Sequence, residues 1–86
     1  MKIIISPRAE KELKKLSKIN QIALVKKIRS LAQPPIVNEE KLSGYKNVFR
    51  VRVGDFRIIY KKSSLEIFII LIGHRKEIYK LLKQLL

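Results

Sequence analysis

The stretch that decides the fold runs from Val48 to Tyr60 and reads V-F-R-V-R-V-G-D-F-R-I-I-Y. Apolar and basic residues alternate along this stretch, and the alternation breaks at Gly54-Asp55. Alternation with a period of two indicates a β-strand, and a Gly-Asp break between two such runs indicates a tight hairpin. We therefore predict two antiparallel strands joined by a two-residue turn.

A two-residue turn determines which residues of the two strands face each other. The predicted pairs are Val53 with Phe56, Arg52 with Arg57, Val51 with Ile58, and Arg50 with Ile59. Paired residues project from the same face of a sheet. One face is therefore apolar and consists of Phe49, Val51, Val53, Phe56, Ile58 and Tyr60. The other face carries Arg50, Arg52 and Arg57, and because opposed like charges destabilise a sheet, these arginines indicate that an anion binds there.

The composition describes a small and strongly basic protein. The chain has 86 residues, with 20 Lys+Arg against 7 Asp+Glu and a formal net charge of +13. A charge magnitude of ~2–8 is ordinarily enough for solubility, so this excess indicates a polyanionic partner such as RNA, DNA, a membrane surface or an acidic protein. We expect a single domain over residues 1–86, because this length supports one small core.

Several classes of site lack the residues that they require. The sequence contains no cysteine, which excludes a disulfide framework, a thiolate zinc site and a cysteine nucleophile. A single histidine cannot organise a metal site, and no glycine-rich phosphate loop occurs, so we expect no metal and no other cofactor. The longest apolar run, Ile67 to Ile72, is far shorter than the ~20 residues of a membrane span, so we expect a cytoplasmic protein with no membrane partner.

The first half of the chain predicts a strand followed by two helices. Met1–Ile5 is rich in β-branched residues, and Ser6-Pro7 then begins a helical hairpin that extends to about Ala32. Asn20 is the expected cap of the second helix. Gln33-Pro34-Pro35 ends this helix, and the polar segment that continues to Gly44 is expected to be irregular.

The second half predicts the rest of a small α+β fold. Leu65–Ile72 is apolar at both strand parities, which indicates a central strand covered on both faces. A break is expected at Gly73-His74-Arg75, followed by a C-terminal helix. The predicted order is βααβββα, with an antiparallel-rich, four-stranded sheet packed against an N-terminal helical hairpin and the C-terminal helix.

The chain offers a cluster of cations near a possible proton carrier. Arg75 follows the break after the central strand, and Tyr79 lies four residues later, on the same face if the helix begins there. With the hairpin arginines, Arg75 could bind phosphate and stabilise the charge that develops when a phosphodiester is attacked. RNA carries its own nucleophile, the 2′-hydroxyl. The protein then needs only to align the RNA, remove one proton and donate another.

Two residues are candidates for the proton carrier, and each also has a structural explanation. Neighbouring arginines favour the phenolate form of Tyr79, and histidine, here His74, exchanges protons near neutral pH. Tyr79 could instead fill a contact between helix and sheet, and His74 could be a cap or turn residue. The sequence leaves both alternatives open.

Three segments resemble the RelE branch of the RelE/ParE toxin superfamily: Lys41–Tyr45 (K-L-S-G-Y), Val48–Tyr60, and Ile72–Tyr79 (I-G-H-R-K-E-I-Y). Ser6–Leu13, which reads S-P-x-A-x-K-x-L, also resembles the superfamily. The resemblance implies the toxin of a type II toxin–antitoxin pair, an endoribonuclease that cuts mRNA in the 30S ribosomal A site, beside the 16S rRNA, without a metal. It also implies a cognate antitoxin, which we expect to be acidic where it contacts the basic face.

The resemblance further implies a role for each predicted site residue. Arg57 and Arg75 would bind and stabilise the scissile phosphate. Arg50 or Arg52 would support the base or protonate the leaving group. Tyr79 would orient the RNA by stacking or assist removal of the proton.

Two departures from the family pattern affect the proton transfer. The best-known family form carries lysines at the positions of Arg50 and Arg52, and arginine is a poor acid or base, so transfer could pass through His74. A glutamate and histidine close to the C-terminus, which some relatives use, are absent from this sequence. Two other functions compete: a ParE-like, non-enzymatic toxin that inhibits DNA gyrase, and a basic nucleic-acid-binding module without chemistry.

Overall fold

A computed structural model describes residues 1–85, and Leu86 lies outside the described residues. Residues 1–85 form three α-helices and one five-stranded sheet, which confirms the predicted α+β class. The strands are β1 (Lys2–Ile5), β2 (Glu40–Lys41), β3 (Val48–Val53), β4 (Phe56–Lys62) and β5 (Glu66–His74). The helices are α1 (Pro7–Lys14), α2 (Lys18–Ser30) and α3 (Ile78–Leu85).

The strands lie in the order β1-β5-β4-β3-β2 across the sheet. After β1 the chain crosses the sheet as α1 and α2, and it re-enters the sheet at the opposite edge as β2. Strands β3, β4 and β5 then return as an antiparallel meander, and β5 pairs in parallel with β1. The predicted meander and the interior position of the apolar strand are both confirmed.

The predicted hairpin is confirmed in its turn and in its register. Val53 pairs with Phe56 and Arg52 pairs with Arg57, with Gly54-Asp55 as the connecting turn. Gly54 has a φ of +59°, which lies in the left-handed region that side chains disfavour. The glycine is therefore the residue that permits so short a connection.

Different helices cover the two faces of the sheet. Helices α1 and α2 pack on one face, with a buried core of Ala9, Leu24, Ile28, Leu31, Val51, Ile58, Tyr60, Ile67, Ile69 and Ile72. Helix α3 packs on the other face, with a second core of Val48, Ile59, Ile70, Leu71, Ile78 and Leu82. Because α3 has only 8 residues, it shares its face with the hairpin arginines.

The helical hairpin begins as predicted, but its second cap differs. Ser6 caps α1, since its hydroxyl accepts a hydrogen bond from the backbone N–H of Ala9 at 3.0 Å. The expectation that Asn20 caps α2 is wrong. Ser17 is the cap, and its hydroxyl accepts from the N–H of Asn20 at 3.4 Å. The serine lies three residues before that N–H, where an N-cap side chain can reach it.

The sheet is larger than predicted at two places. Strand β2 lies in the segment that was expected to be irregular, and it raises the strand number from four to five. Two residues are too few for a hydrophobic period to show. Strand β5 continues two residues into the expected break, because Gly73 and His74 pair with Arg57 and Phe56 of β4. Helix α3 therefore begins after Arg75, and this arginine does not share a helix face with Tyr79.

Candidate functional site: an arginine-rich face of the sheet

Two cross-strand rows place the hairpin arginines on the sheet face that α3 partly covers. One row runs through Glu40, Arg50, Ile59 and Leu71, and the next runs through Arg52, Arg57 and Gly73. The start of α3 lies over the second row, since a Cβ on Gly73 would be 3.6 Å from the Ile78 side chain. We call the surface formed by these two rows, with Arg50, Arg52 and Arg57 on it, the arginine face.

Arg50 is held between Glu40 and Tyr79. Its Nε and Nη2 donate hydrogen bonds to Oε2 of Glu40 at 3.2 and 2.5 Å, and its Nη1 donates to the Tyr79 hydroxyl. The guanidinium carbon also lies 5.5 Å from the centroid of the Tyr79 ring, within the range of a cation–π contact. The arrangement joins a residue of β2, a residue of β3 and a residue of α3.

The electrostatics of this contact keep both partners charged. The hydrogen bond from Arg50, followed by the charge of the same group, lowers the pKa of Glu40. Hydrogen bonds to Glu40 and then to Tyr79 raise the pKa of Arg50. The carboxylate and the guanidinium therefore form a charged pair at neutral pH.

Arg52 is the exposed arginine of the face. Within residues 1–85 its side chain forms no hydrogen bond and no ion pair. The side chains of Arg50 and Arg57 both form hydrogen bonds, and Arg50 also forms an ion pair. It lines an open groove of about 550 Å³ together with Asn38, Glu39 and Glu40. Within residues 1–85 its guanidinium donors therefore have no protein partner, and they face solvent.

Arg57 and Arg75 meet at the turn between β3 and β4. Arg57 is only 8% exposed, and its Nη1 donates to the carbonyls of Phe56 and Gly54 at 3.2 and 3.4 Å. The Nε of Arg57 is buried and has no partner within the described residues. The backbone N–H of Arg75 donates to the carbonyl of Asp55 at 2.9 Å, and its Nε lies 3.9 Å from Oδ1 of Asp55. Both arginines thus contact the same turn, one buried and one half-exposed.

His74 lies on the other side of the sheet from the arginines. It pairs with Phe56, and alternation along β5 places both on the face covered by α1 and α2. The two rings are 6.1 Å apart in an edge-to-face arrangement. The structure therefore brings Tyr79 to the arginine face and does not bring His74 there. The proposed catalytic roles of both residues stay predictions.

Glu40 is a residue of the site to which the sequence interpretation gave no role. Its neighbour Glu39 projects to the opposite face, where Oε1 accepts from Tyr60 and Oε2 pairs with Lys62 at 2.8 Å. Burial, and then the hydrogen bond to Glu39, raise the pKa of Tyr60. The only signal in the sequence was an acidic pair in a basic chain, which does not show where either carboxylate binds.

Residues 1–85 contain neither a metal-ligand cluster nor a membrane-spanning helix. This part of the chain contains no group of three or more His, Cys, Asp or Glu side chains that could hold a metal ion. None of its helices combines the length and the apolar character needed to cross a membrane.

Most of the chain matches the model of one known protein family. Residues 3–79 match the family model described as the ParE toxin of type II toxin–antitoxin systems, parDE. The chain belongs to this family. It is therefore the toxin of a type II toxin–antitoxin system within the RelE/ParE superfamily, as the sequence predicted. No curated protein matches the toxin in sequence.

Solved toxin structures share the fold and confirm the resemblance to the RelE branch. The isolated E. coli RelE toxin is 27% identical with a TM-score of 0.71, over 99% of this chain and 98% of that chain. In the intact E. coli RelBE toxin–antitoxin complex the match is 26% identical with a TM-score of 0.70, over 85% of this chain and 94% of that chain. The YoeB dimer from Staphylococcus aureus is 26% identical with a TM-score of 0.65, over 86% of this chain and 95% of that chain.

Proposed function

We propose that this toxin is a ribosome-dependent endoribonuclease that cuts mRNA in the A site. The observation that carries the proposal is the placement of Arg50, Arg52 and Arg57 on one sheet face, with Tyr79 hydrogen-bonded to Arg50. Guanidinium groups bind phosphate oxygens in bidentate fashion and remain charged at any working pH. The net charge of +13 favours a polyanionic partner such as mRNA on the ribosome.

The proposed reaction uses the 2′-hydroxyl of the mRNA as nucleophile. Its oxygen forms a bond to the adjacent phosphorus, and the bond from phosphorus to the 5′-oxygen breaks. The products are a 2′,3′-cyclic phosphate and a 5′-hydroxyl. One proton leaves the 2′-hydroxyl and one reaches the departing oxygen, so the protein supplies alignment, charge stabilisation and proton transfer.

The geometry favours different roles for the arginines. Arg52, exposed beside its groove, binds the RNA backbone. Arg57 and Arg75 converge on the hairpin turn, where they stabilise the negative charge that develops at phosphorus. Arg50 donates to the oxygen of Tyr79, which leaves the phenolic proton of Tyr79 available for transfer or for a hydrogen bond to RNA. Tyr79 is the preferred proton carrier because His74 faces the other side of the sheet.

We also propose that an antitoxin silences the toxin by covering the arginine face. The E. coli RelE relative is found assembled in a complex with its antitoxin. Acidic side chains of an antitoxin would pair with Arg52 and Arg75, whose side chains are accessible. The antitoxin and mRNA would then compete for the same guanidinium groups.

Brief expression in cells tests the ribonuclease proposal. New mRNA 5′ ends are mapped after expression of the toxin and of its Arg52→Ala and Arg75→Ala variants. We expect cleavage within codons of translated messages, with 5′-hydroxyl ends, and loss of cleavage in both variants. Arg29→Ala, which removes the same charge from the exposed side of α2, should still cleave. Intact mRNA in cells that stop growing would refute the proposal.

A non-enzymatic toxin that inhibits DNA gyrase is the second candidate. The observation in its favour is that the matching family model describes parDE toxins. It predicts intact mRNA and altered DNA supercoiling in the same cultures, with no effect of Tyr79→Phe. A nucleic-acid-binding module without chemistry predicts neither change, and only binding that weakens steeply with salt.

A further inference from the structure

Arg50 already has an anion on its guanidinium group. Nε and Nη2, which form one edge of the group, both donate to Glu40, and Nη1 donates to Tyr79. A phosphate that approached this edge in bidentate fashion would have to displace a carboxylate. Arg52 differs, because within residues 1–85 no carboxylate is paired with its guanidinium group and its side chain is exposed, although Glu39 and Glu40 line the same groove.

The fold keeps Glu40 beside Arg50. The two residues are directly opposed in the β2–β3 ladder, so their Cβ atoms lie within the ~4.5–5.5 Å of cross-strand neighbours. The carboxylate therefore reaches Arg50 without any loop movement, whereas a phosphate must first bind from solution. Arg50 is also the less accessible partner, with 27% of its side chain exposed against 56% for Glu40.

We propose that Glu40 is a positioning residue, which holds Arg50 against Tyr79 so that Arg50 orients the tyrosine and does not bind the phosphate itself. The inference rests on the proposed ribonuclease function. Glu40 fixes one edge of the Arg50 guanidinium. The remaining nitrogen, Nη1, then donates a hydrogen bond to a lone pair of the Tyr79 oxygen. The contact of Arg50 with the Tyr79 ring holds the plane of that ring. The phenolic proton is thereby directed away from Arg50.

This role predicts opposite effects on catalysis and on RNA binding. Glu40→Ala removes the group that holds Arg50 against Tyr79, so Tyr79, the proton carrier, loses its orientation. We therefore expect the cleavage rate to fall by at least about 10-fold. The same variant removes a negative charge from the arginine face. RNA affinity should therefore stay unchanged or rise by up to about 3-fold. Glu40→Asp keeps the charge one methylene further back, so it should recover part of the rate.

The experiment uses the full-length toxin with ribosomes programmed by a defined mRNA. Single-turnover cleavage rates are measured separately from the affinity for an mRNA whose scissile nucleotide lacks the 2′-hydroxyl and cannot be cut. Glu10→Ala is the matched control, since Glu10 is also an exposed glutamate in an ion pair, with Lys14 at 3.0 Å. Thermal unfolding of each variant shows that the fold is retained.

A fall in rate with undiminished affinity, absent in Glu10→Ala, supports the proposal. In a Tyr79→Phe background Glu40→Ala should then have little further effect, because both act through the same hydroxyl. An unchanged or faster rate in Glu40→Ala would mean that Glu40 merely competes with phosphate, and it would overturn the proposal. A parallel loss of rate, affinity and thermal stability would show a purely structural role and would overturn it equally.

A readout on the free protein separates this inference from the ribonuclease proposal. The NMR signal of the Arg50 Nε–H group reports the contact with Glu40 without any RNA. We expect this signal to shift in Glu40→Ala and in Tyr79→Phe, and to stay in place in Glu10→Ala. If the wild-type toxin cuts no mRNA, the ribonuclease proposal fails, and the NMR result still decides whether Glu40, Arg50 and Tyr79 act as one unit. An Arg50 signal that ignores both substitutions would refute the positioning role.

Discussion

Arg52 lies directly opposite Arg57 in the ladder between β3 and β4, so two arginines are nearest neighbours on one sheet face. Like charges in this arrangement oppose folding, by an amount on the scale of roughly 0.2–1 kcal/mol per cross-strand pair. Arg57 is buried and donates to backbone carbonyls, whereas Arg52 projects into solvent. A position that opposes folding and offers exposed cationic donors is typical of a binding site.

Replacing Arg52 should separate stability from binding. Arg52→Thr removes the repulsion with Arg57 and introduces a good strand former, so we expect the free energy of unfolding to rise by about 0.5 kcal/mol in urea titrations. The same variant should bind single-stranded RNA more weakly. The slope of log affinity against log salt should become shallower by about 0.7, the contribution of one phosphate contact.

Lys61→Thr is the control for this experiment. Lys61 is also an exposed cation on a strand, but its partners in the ladders are Val48 and Phe68, so no like charge lies opposite. This variant should lack the stabilisation that comes from relieved repulsion. A clear loss of stability in Arg52→Thr would contradict the interpretation of the pair.

Two glycines should respond to alanine with opposite signs. A Cβ on Gly73 would meet the Ile78 side chain at 3.6 Å, an ordinary van der Waals distance, and Gly73 is not among the residues with positive φ. Gly73→Ala should therefore raise the free energy of unfolding by about 0.4–1 kcal/mol, because it restricts the unfolded chain. Gly54→Ala places a side chain at a φ of +59°, and it should lower that free energy by about 1–2 kcal/mol.

Denaturant unfolding of both glycine variants gives the comparison directly. Equal losses in the two variants would show that Ile78 cannot accommodate a methyl group and that the start of α3 shifts. A stable Gly54→Ala variant would show that the hairpin turn can adopt another form.

Tyr60 should make stability sensitive to alkaline pH. Its burial and its hydrogen bond to Glu39 raise its pKa above the ordinary value of ~10. The folded state then keeps a proton that the unfolded state loses. This contribution is complete below pH ~10 and declines as the pH rises further, by at most about 1.4 kcal/mol per pH unit.

Urea unfolding between neutral and alkaline pH measures this effect. The decline above pH ~10 should be shallower in Tyr60→Phe than in the wild type. Tyr45→Phe is the matched control. Tyr45 is only partly buried, and within residues 1–85 its hydroxyl has no hydrogen bond like the one from Tyr60 to Glu39. Identical alkaline declines in the wild type and Tyr60→Phe would contradict the assignment.

Arg50 should control the titration of Glu40. Because Arg50 lowers the pKa of Glu40, the carboxylate should titrate below the usual glutamate range in an NMR experiment on the folded protein. The stability that this pair contributes is present above the unfolded pKa of glutamate and is lost as the pH falls through the lowered value. Arg50→Gln should move the midpoint upward, whereas Arg29→Gln should leave it in place. If Arg50→Gln leaves the titration midpoint of Glu40 unchanged, the contact between Arg50 and Glu40 does not persist in solution.

The sequence alone determined the hairpin from Val48 to Tyr60 with its register and its faces. Alternation and the length of the turn are local properties, and together they decide which residues of two adjacent strands face each other. The apolar run at Leu65–Ile72 similarly determined an interior strand, since a strand covered on both faces must be apolar at both parities. The clustering of arginines on one face followed directly from this register.

The tertiary structure alone decided which groups those arginines contact. Glu40 reaches Arg50 only because a two-residue strand adds to the sheet edge, and Tyr79 reaches it only because α3 begins at Ile78. His74 lies on the opposite face because β5 continues two residues into the expected break. Local patterns extend over a few residues, whereas the partner of a polar side chain depends on which distant segments pack together. The arginine-rich surface was therefore predictable, and the carboxylate beside Arg50 was not.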